Sequence, residues 1–235
     1  MNKLKTLTVS IIIPCYNEKF TIEKIIRKIN SIKHKFNYEV IVVDDFSTDG
    51  TRNILKKLQK KVRKVIFLDR NSGKGNALKI GLKYCSMEYI LIQDADLEYD
   101  PNDYSILIEP ILKYKADAVY GSRFLGSRPR KSKYFITSLA NKFLTFLSNL
   151  LTNLNLTDME TGYKIIRRNI FEQFKLKEKR FGVEPEITAK LSKLTESIYE
   201  VGISYNGRSW NEGKKIGLRD GFRAIYCIFK YKFFN

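Results

Sequence analysis

Two carboxylates one residue apart, Asp94 and Asp96, follow the apolar run Tyr89-Ile90-Leu91-Ile92-Gln93. Such a short apolar run reads as a buried strand. In an open α/β sheet, ligands bind beyond the carboxyl ends of the strands. Asp94-Ala95-Asp96 at such an end can hold a hard divalent cation, which takes oxygen ligands and leaves positions free for a diphosphate. The pair taken alone also fits a solvated turn. Two further strand ends weigh against the turn: Pro14-Cys15-Tyr16-Asn17-Glu18 closes the first apolar run, and Asp44-Asp45 closes the second. Parallel strands bring all three loops to one edge of the sheet. A carboxylate-rich edge of that kind suits a base or ribose beside a metal-bound diphosphate.

The elements that must position these groups are legible from periodicity. A β-branched strand over 8–13 is expected to stop at Pro14. Ile22, Ile25, Ile26 and Ile29 recur at helical spacing. A second strand spans 39–43, and Ser47-Thr48-Asp49-Gly50 then reads as a turn and cap. In the next helix Ile54, Leu55 and Leu58 face inward, while Lys56, Lys57, Lys60 and Lys61 face out. A strand over 65–68 leads into Asp69-Arg70-Asn71-Ser72-Gly73-Lys74-Gly75, a loop opening a helix through Tyr84. Pro101 begins another helix, and a short strand over 118–120 ends in Gly121-Ser122-Arg123. Strands alternating with helices imply an α/β fold with a mainly parallel sheet flanked by helices.

The character changes after Arg123. Residues 125–133 carry Arg128, Arg130, Lys131 and Lys133 around Pro129. They read as a basic, flexible loop, either simply solvated or a mobile clamp for a phosphate-bearing acceptor, since arginine matches phosphate bidentately. A helix over 139–151 has an apolar arc wide for a surface helix, which fits either packed core or a face laid on lipid. Residues 156–164 read as a loop. Glu184 and Glu186 flank Pro185 in the first turn of a helix. A strand over 197–203 precedes a polar stretch with Arg208, Glu212, Lys214 and Lys215. An amphipathic helix over 218–229 has Phe222, Ile225, Tyr226 and Phe229 on one face.

The bulk numbers bound the function. At 235 residues, 43% of them apolar, the chain suits one globular domain. A formal charge of +18 points to an anionic partner. A nucleic-acid module is disfavoured: the bases are spread over helix surfaces, the acids gather at one edge, and no module signature is present. Ser72-Gly73-Lys74-Gly75 is not a P-loop, no dinucleotide fingerprint follows the first strand, and no Cys/His cluster has zinc spacing. His34, the single histidine, reads as solvated. Cys15, Cys85 and Cys227 read as packed thiols of a reducing compartment. No signal segment is read before the first strand, and no apolar run reaches the roughly 18 residues that span a bilayer.

In this order Ile-Ile-Pro-Cys-Tyr-Asn-Glu, Val-Val-Asp-Asp-Phe-Ser-Thr-Asp-Gly-Thr, Asn-Ser-Gly-Lys-Gly-Asn-Ala, Asp-Ala-Asp-Leu, Gly-Ser-Arg-Phe and Asp-Met-Glu-Thr-Gly-Tyr-Lys resemble glycosyltransferase family 2, with the nucleotide-sugar-binding fold called GT-A. The resemblance is to the dolichol-phosphate mannose synthase and polyprenyl-phosphate glycosyltransferase group. Glu-Pro-Glu-Ile-Thr and Tyr-Asn-Gly-Arg further resemble a bacterial branch of it. The resemblance implies that Pro14, Tyr16, Glu18, Asp44, Asp45, Lys74, Asp94, Ala95 and Asp96 bind the nucleotide sugar. It implies Mg2+ or Mn2+ on Asp94 and Asp96, with Glu98, where relatives often have Gln, as an added ligand. Asp96, Arg123, Asp158 and Lys164 would serve catalysis, and Arg128, Arg130, Lys131 and Thr161 the acceptor.

The expected reaction is inverting, metal-dependent transfer of a hexose, from a donor of the GDP-mannose or UDP-glucose type, to a polyprenyl phosphate. The alternative is a glycan hydroxyl acceptor, which needs a base; Asp158, Glu160 and Glu184 are candidates. The organisation implied is a single domain over 1–235: a donor half over 8–123, an acceptor half over 124–216 and an amphipathic helix over 217–235. The expected setting is cytoplasmic, peripheral on the anionic cytoplasmic face of a membrane. Many relatives carry membrane-spanning helices after the catalytic domain, and none is read here.

Overall fold

The computed structural model describes residues 6–126, 128–131, 135–208 and 218–234. Lys133, Glu212, Lys214 and Lys215, named above, lie outside the described residues. In chain order the elements are β1 (Thr8–Cys15), α1 (Ile22–Ser31), β2 (Asn37–Asp44), α2 (Thr51–Leu58), β3 (Lys64–Phe67), α3 (Lys74–Leu82) and β4 (Tyr89–Ile92). A 3-10 turn at Pro101–Asp103 then runs into α4 (Tyr104–Tyr114). The chain continues through β5 (Ala118–Ser122), α5 (Phe135–Thr152), β6 (Lys164–Arg167), α6 (Arg168–Phe171), α7 (Val183–Leu191), β7 (Ile198–Gly202) and α8 (Leu218–Phe233).

The strands form a seven-stranded sheet in the order β3-β2-β1-β4-β6-β5-β7. All pairings are parallel except those of β6, which runs antiparallel to β4 and β5. The expected mainly parallel α/β sheet is therefore present, with one reversed strand that periodicity did not reveal. Alternating side chains feed two cores, since successive strand residues point to opposite faces. Val9, Ile11 and Ile13 join α1, α2 and α4 on one face. Ile12, Ile41 and Val43 join α3, α6 and α7 on the other.

One local expectation is corrected. β1 runs through Pro14 to Cys15. The Ile12 carbonyl accepts from Gln93 on the β4 side, and the Cys15 carbonyl from Asp45 on the β2 side. Pro14, two residues after Ile12, therefore turns its nitrogen towards β4, whose ladder ends at Ile92. The missing N–H falls where no strand acceptor remains. The helix α8 is amphipathic as expected. Its buried side is Ala224, Cys227, Ile228 and Tyr231, whereas Phe222, Tyr226 and Phe229 are exposed.

Candidate functional site

The edge of the sheet collects the chemistry. β1, β2 and β4 end there together, delivering Glu18, Asp44, Asp45, Asp94 and Asp96. β5 is parallel to these strands and delivers Arg123, and β7 leads into Tyr205 and Arg208. The reversal of β6 matters most, because its first residue lies at this edge: Lys164 pairs in register with Ile92 and Tyr120. The Asp158–Lys164 stretch is thereby inserted between β4 and β5 at the site.

The carboxylates are partnered by cations drawn from distant segments. Lys74, the first residue of α3, places Nζ 2.7 Å from Asp94 Oδ1 and 3.1 Å from Glu184 Oε1. Glu184 Oε2 in turn accepts from Lys164, whose buried ammonium also donates to the Met159 and Thr161 carbonyls. Burial opposes the charge on Lys74, yet Asp94 and Glu184 raise its pKa above the ordinary lysine value. Burial also opposes ionisation of Glu184, but Lys164 and Lys74 hold its carboxyl below the usual range. Gly162 packs so tightly here that a Cβ would lie 2.3 Å from Asp94 Oδ2.

Arg208 spans the second cluster. It donates to Asp96 Oδ2 at 2.7 Å and to Glu18 at 3.0 Å, and its backbone N–H donates to Glu98 Oε1 at 2.6 Å. The second oxygen of Glu98 accepts from Tyr205 at 3.1 Å. Burial, then Asp94 and Glu98, push the Asp96 carboxyl up to about 7 against the pull of Arg208.

Beside this cluster lies a cavity of about 490 Å3. Arg123, Arg130, Lys131, Lys142 and Arg208 line it, along with Phe124, Phe135, Leu139 and Tyr205. Within the basic stretch expected to be a flexible loop, residues 129–131 are tied down: Lys131 donates to the Tyr205 carbonyl at 2.8 Å, Tyr205 to the Pro129 carbonyl at 3.2 Å, and Arg130 bridges Tyr205.

The residues named from sequence divide clearly. Pro14 and Tyr16 are half-buried at the end of β1, and Ala95 is buried between the two aspartates. Asp44 is fully buried, and its Oδ1 has no hydrogen-bond partner. Asp45 spends both oxygens on the backbone amides of Ser72 and Gly73, at 2.8 and 2.6 Å, so it shapes the loop before α3. Arg130 and Lys131 line the cavity; Arg128 is exposed outside it. Asp158 is fully buried and clasped by Arg123 through Nε and Nη2, each at 2.7 Å. Thr161 is fully buried and donates to the Gly121 carbonyl at 2.6 Å, and Lys164 is fully buried on Glu184, so none of these three faces open space. Arg208, Tyr205 and Lys142 were given no role from the sequence. Arg208 lies 190 positions from Glu18, and no local pattern signals such a pairing.

The donor chemistry of this edge fits a hard divalent cation. Asp94 and Asp96 present oxygen ligands on one short loop, and Asp96, raised first by burial and then by the neighbouring carboxylates Asp94 and Glu98, lies among like charges. Among the described residues no three acidic, histidine or cysteine side chains form a ready-made metal cage.

Residues 10–174 match the family described as "Glycosyl transferase family 2". The chain belongs to this family. It is 31% identical over 231 residues to a dolichol-phosphate mannosyltransferase of Pyrococcus furiosus, matching 96% of this chain and 65% of that one. It is 28% identical to a UDP-N-acetylglucosamine–dolichyl-phosphate N-acetylglucosaminyltransferase of Methanococcus voltae, over 94% of this chain and 95% of the relative. A dodecaprenyl-phosphate galacturonate synthase of Rhizobium johnstonii is 25% identical, over 98% and 68%. In structure, this family 2 chain is similar to the glucosyl-3-phosphoglycerate synthase of Mycobacterium tuberculosis crystallised with Mn2+, uridine diphosphate and glucosyl-3-phosphoglycerate. That likeness has a TM-score of 0.74 at 20% identity, covering 96% of this chain and 80% of the other. The expected GT-A arrangement is thus the fold observed.

Proposed function

We propose that the protein transfers a hexose from a nucleotide sugar to a polyprenyl phosphate, with inversion at the anomeric carbon. The observation that carries this reading is the cavity beside Asp94 and Asp96, which combines five cationic side chains with an apolar wall. A phosphate monoester attached to an isoprenoid chain has that same division of charge and grease. Charge-assisted hydrogen bonds to such a phosphate contribute about 1.5–3 kcal/mol each when well formed. The relatives named for dolichyl- and dodecaprenyl-phosphate acceptors support it.

In this proposal Asp94 and Asp96 hold Mg2+ or Mn2+, and the cation supplies charge neutralisation at the donor diphosphate. Glu98 tethers the 205–208 segment through Arg208 and Tyr205. Arg123, fixed by Asp158 and stacked on Tyr205 at 5.3 Å, points its charge into the cavity wall. It offsets the negative charge that two facing phosphates bring together. A phosphate acceptor is already ionised near neutral pH, so no residue need remove its proton. Donor and acceptor functions divide at about residue 123, and the amphipathic α8 faces a membrane surface.

Glu160 favours a second reading, transfer to a glycan hydroxyl. Its Oε1 is buried without a hydrogen-bond partner, and burial together with Glu184 pushes its carboxyl up to about 7, suited to a general base. The test is transfer from GDP-mannose, UDP-glucose, UDP-N-acetylglucosamine and UDP-galacturonate to polyprenyl phosphate with Mn2+. A lipid-linked sugar is expected from one donor. Product formed only on a free glycan selects the second reading.

A further inference from the structure

Lys74, half-buried, stands out among the charges of the site, because the described residues hold it only through two carboxylates on different elements. Its other neighbour in the chain of charges, Lys164, is anchored by two backbone carbonyls as well as by Glu184. Lys74 instead shares itself between Asp94 at 2.7 Å and Glu184 at 3.1 Å. The contact with Glu184 is incomplete: Glu184 Oε1 is buried and lacks an aligned hydrogen bond. Glu184 Oε1, 3.1 Å from Nζ, is thus a short move away from a full hydrogen bond with Lys74.

We infer that Lys74 is the counter-ion of Asp94 in the metal-free protein, and that Glu184 is the seat Lys74 takes when a divalent cation binds Asp94. Glu184 is then a positioning residue for the metal site, acting through Lys74. The inference rests on the metal role proposed above for Asp94. A divalent cation on Asp94 sets two positive charges against the ammonium. Lys74 cannot leave towards Gly162, whose backbone already closes that side; a Cβ there would lie 3.2 Å from Nζ. Moving onto Glu184 keeps the ammonium buried and paired, which a desolvated cation requires. Without Glu184, Lys74 would be left on Asp94 alone and would compete with the metal for it.

The test measures Mn2+ binding to the donor-free protein by electron paramagnetic resonance titration, with no turnover involved. Lys74→Met, close in shape and uncharged, is expected to bind Mn2+ about tenfold more tightly than wild type. Glu184→Gln is expected to bind it about tenfold more weakly. The double variant should behave like Lys74→Met, because Glu184 acts only through the lysine. A merely structural Glu184 would weaken the double variant too, and that result overturns the inference. So does unchanged or weaker binding by Lys74→Met. Lys74→Gln replaces it if the methionine variant does not fold. Absence of Mn2+ binding by wild type, with or without uridine diphosphate, would remove the metal role itself; a wild type that binds while the variants do not separate removes only the exchange.

Discussion

Three carboxylates compete for the role of base, and their surroundings separate them. Asp158 is clasped by Arg123, and Glu184 is held by two lysines. Glu160 Oε1 is buried without a hydrogen-bond partner, whereas Glu184 Oε1, also without an aligned hydrogen bond, keeps Lys74 at 3.1 Å. Its raised carboxyl has a consequence for stability. The folded protein holds this proton more tightly than the unfolded chain, so the contribution to stability falls as pH rises from about 4.5 to about 7 and is lost above that. From pH 5 to pH 8, wild type should lose about 1–3 kcal/mol more unfolding free energy than Glu160→Gln, measured by urea titration. Parallel pH profiles would show that Glu160 is solvated and charged. Asp96 behaves differently, since Arg208 anchors it from outside the strand. Asp96→Asn should keep the fold by circular dichroism while transfer falls by roughly 10²–10³. Full transfer by wild type in excess chelator would contradict the metal role that this loss assumes.

At the scale of elements, residues 8–123 were legible because their strands and helices follow one another with clean periodicity. Ile22, Ile25, Ile26 and Ile29 are all buried, as their spacing implied. β6 was not legible: Lys-Ile-Ile-Arg has two apolar residues and charges at both ends, and its pairing with β4 joins residues over 70 positions apart. The same is true of Arg208, whose role depends on β7 delivering it to carboxylates from the first and fourth strands. Basic residues 128–131 were legible as charge but not as structure, since their attachment to Tyr205 is a tertiary event. That attachment sharpens the acceptor test. Arg130→Ala with Lys131→Ala should raise KM for polyprenyl phosphate at least tenfold while donor KM stays within about threefold, as loss of charge-assisted bonds implies. Arg128→Ala, outside the cavity, should change neither. Equal effects at all three positions would point to general electrostatic attraction rather than a shaped phosphate site. The start of α3 is constrained just as locally. A Cβ on Gly75 would lie 2.1 Å from the Glu178 carbonyl, which is backbone and cannot swing aside. Gly75→Ala should cost about 1–3 kcal/mol in thermal or urea unfolding.

At the scale of the molecule, α5 and α8 pack together through Leu144, Met159, Ala224 and Ile228, yet each leaves its largest apolar side chains outside. Ile136, Phe143, Phe146 and Leu150 are exposed on α5, and Phe222, Tyr226, Phe229 and Phe233 on α8. Exposed aromatic groups on two adjoining helices exceed the scattered apolar residues of an ordinary surface. No helix among the described residues is long and apolar enough to cross a membrane. Such a face suits the boundary of headgroups and acyl chains, where an amphipathic helix lies flat. The position of α5 joins this face to the site, because Phe135 and Leu139 at its start form the apolar wall of the cavity. An isoprenoid chain could follow the helix from the bilayer while its phosphate rests among Arg123, Arg130 and Lys131. The excess of +18 adds a pull towards anionic lipid, about 1 kcal/mol for each basic residue near the surface. Charge alone would bind vesicles and release them in salt; apolar insertion persists. The protein should therefore float with anionic vesicles at low salt and remain partly bound at 0.5 M salt, roughly three times physiological ionic strength. Phe222→Ser with Phe233→Ser should abolish the salt-resistant fraction and leave the salt-sensitive one. Because both side chains are exposed and neither lines the cavity, the same variant should still bind nucleotide sugar normally. Transfer to a short water-soluble polyprenyl phosphate should persist, and transfer to one embedded in vesicles should be lost. Loss of both transfers together would mean that these aromatics support the fold of α8 rather than its contact with lipid.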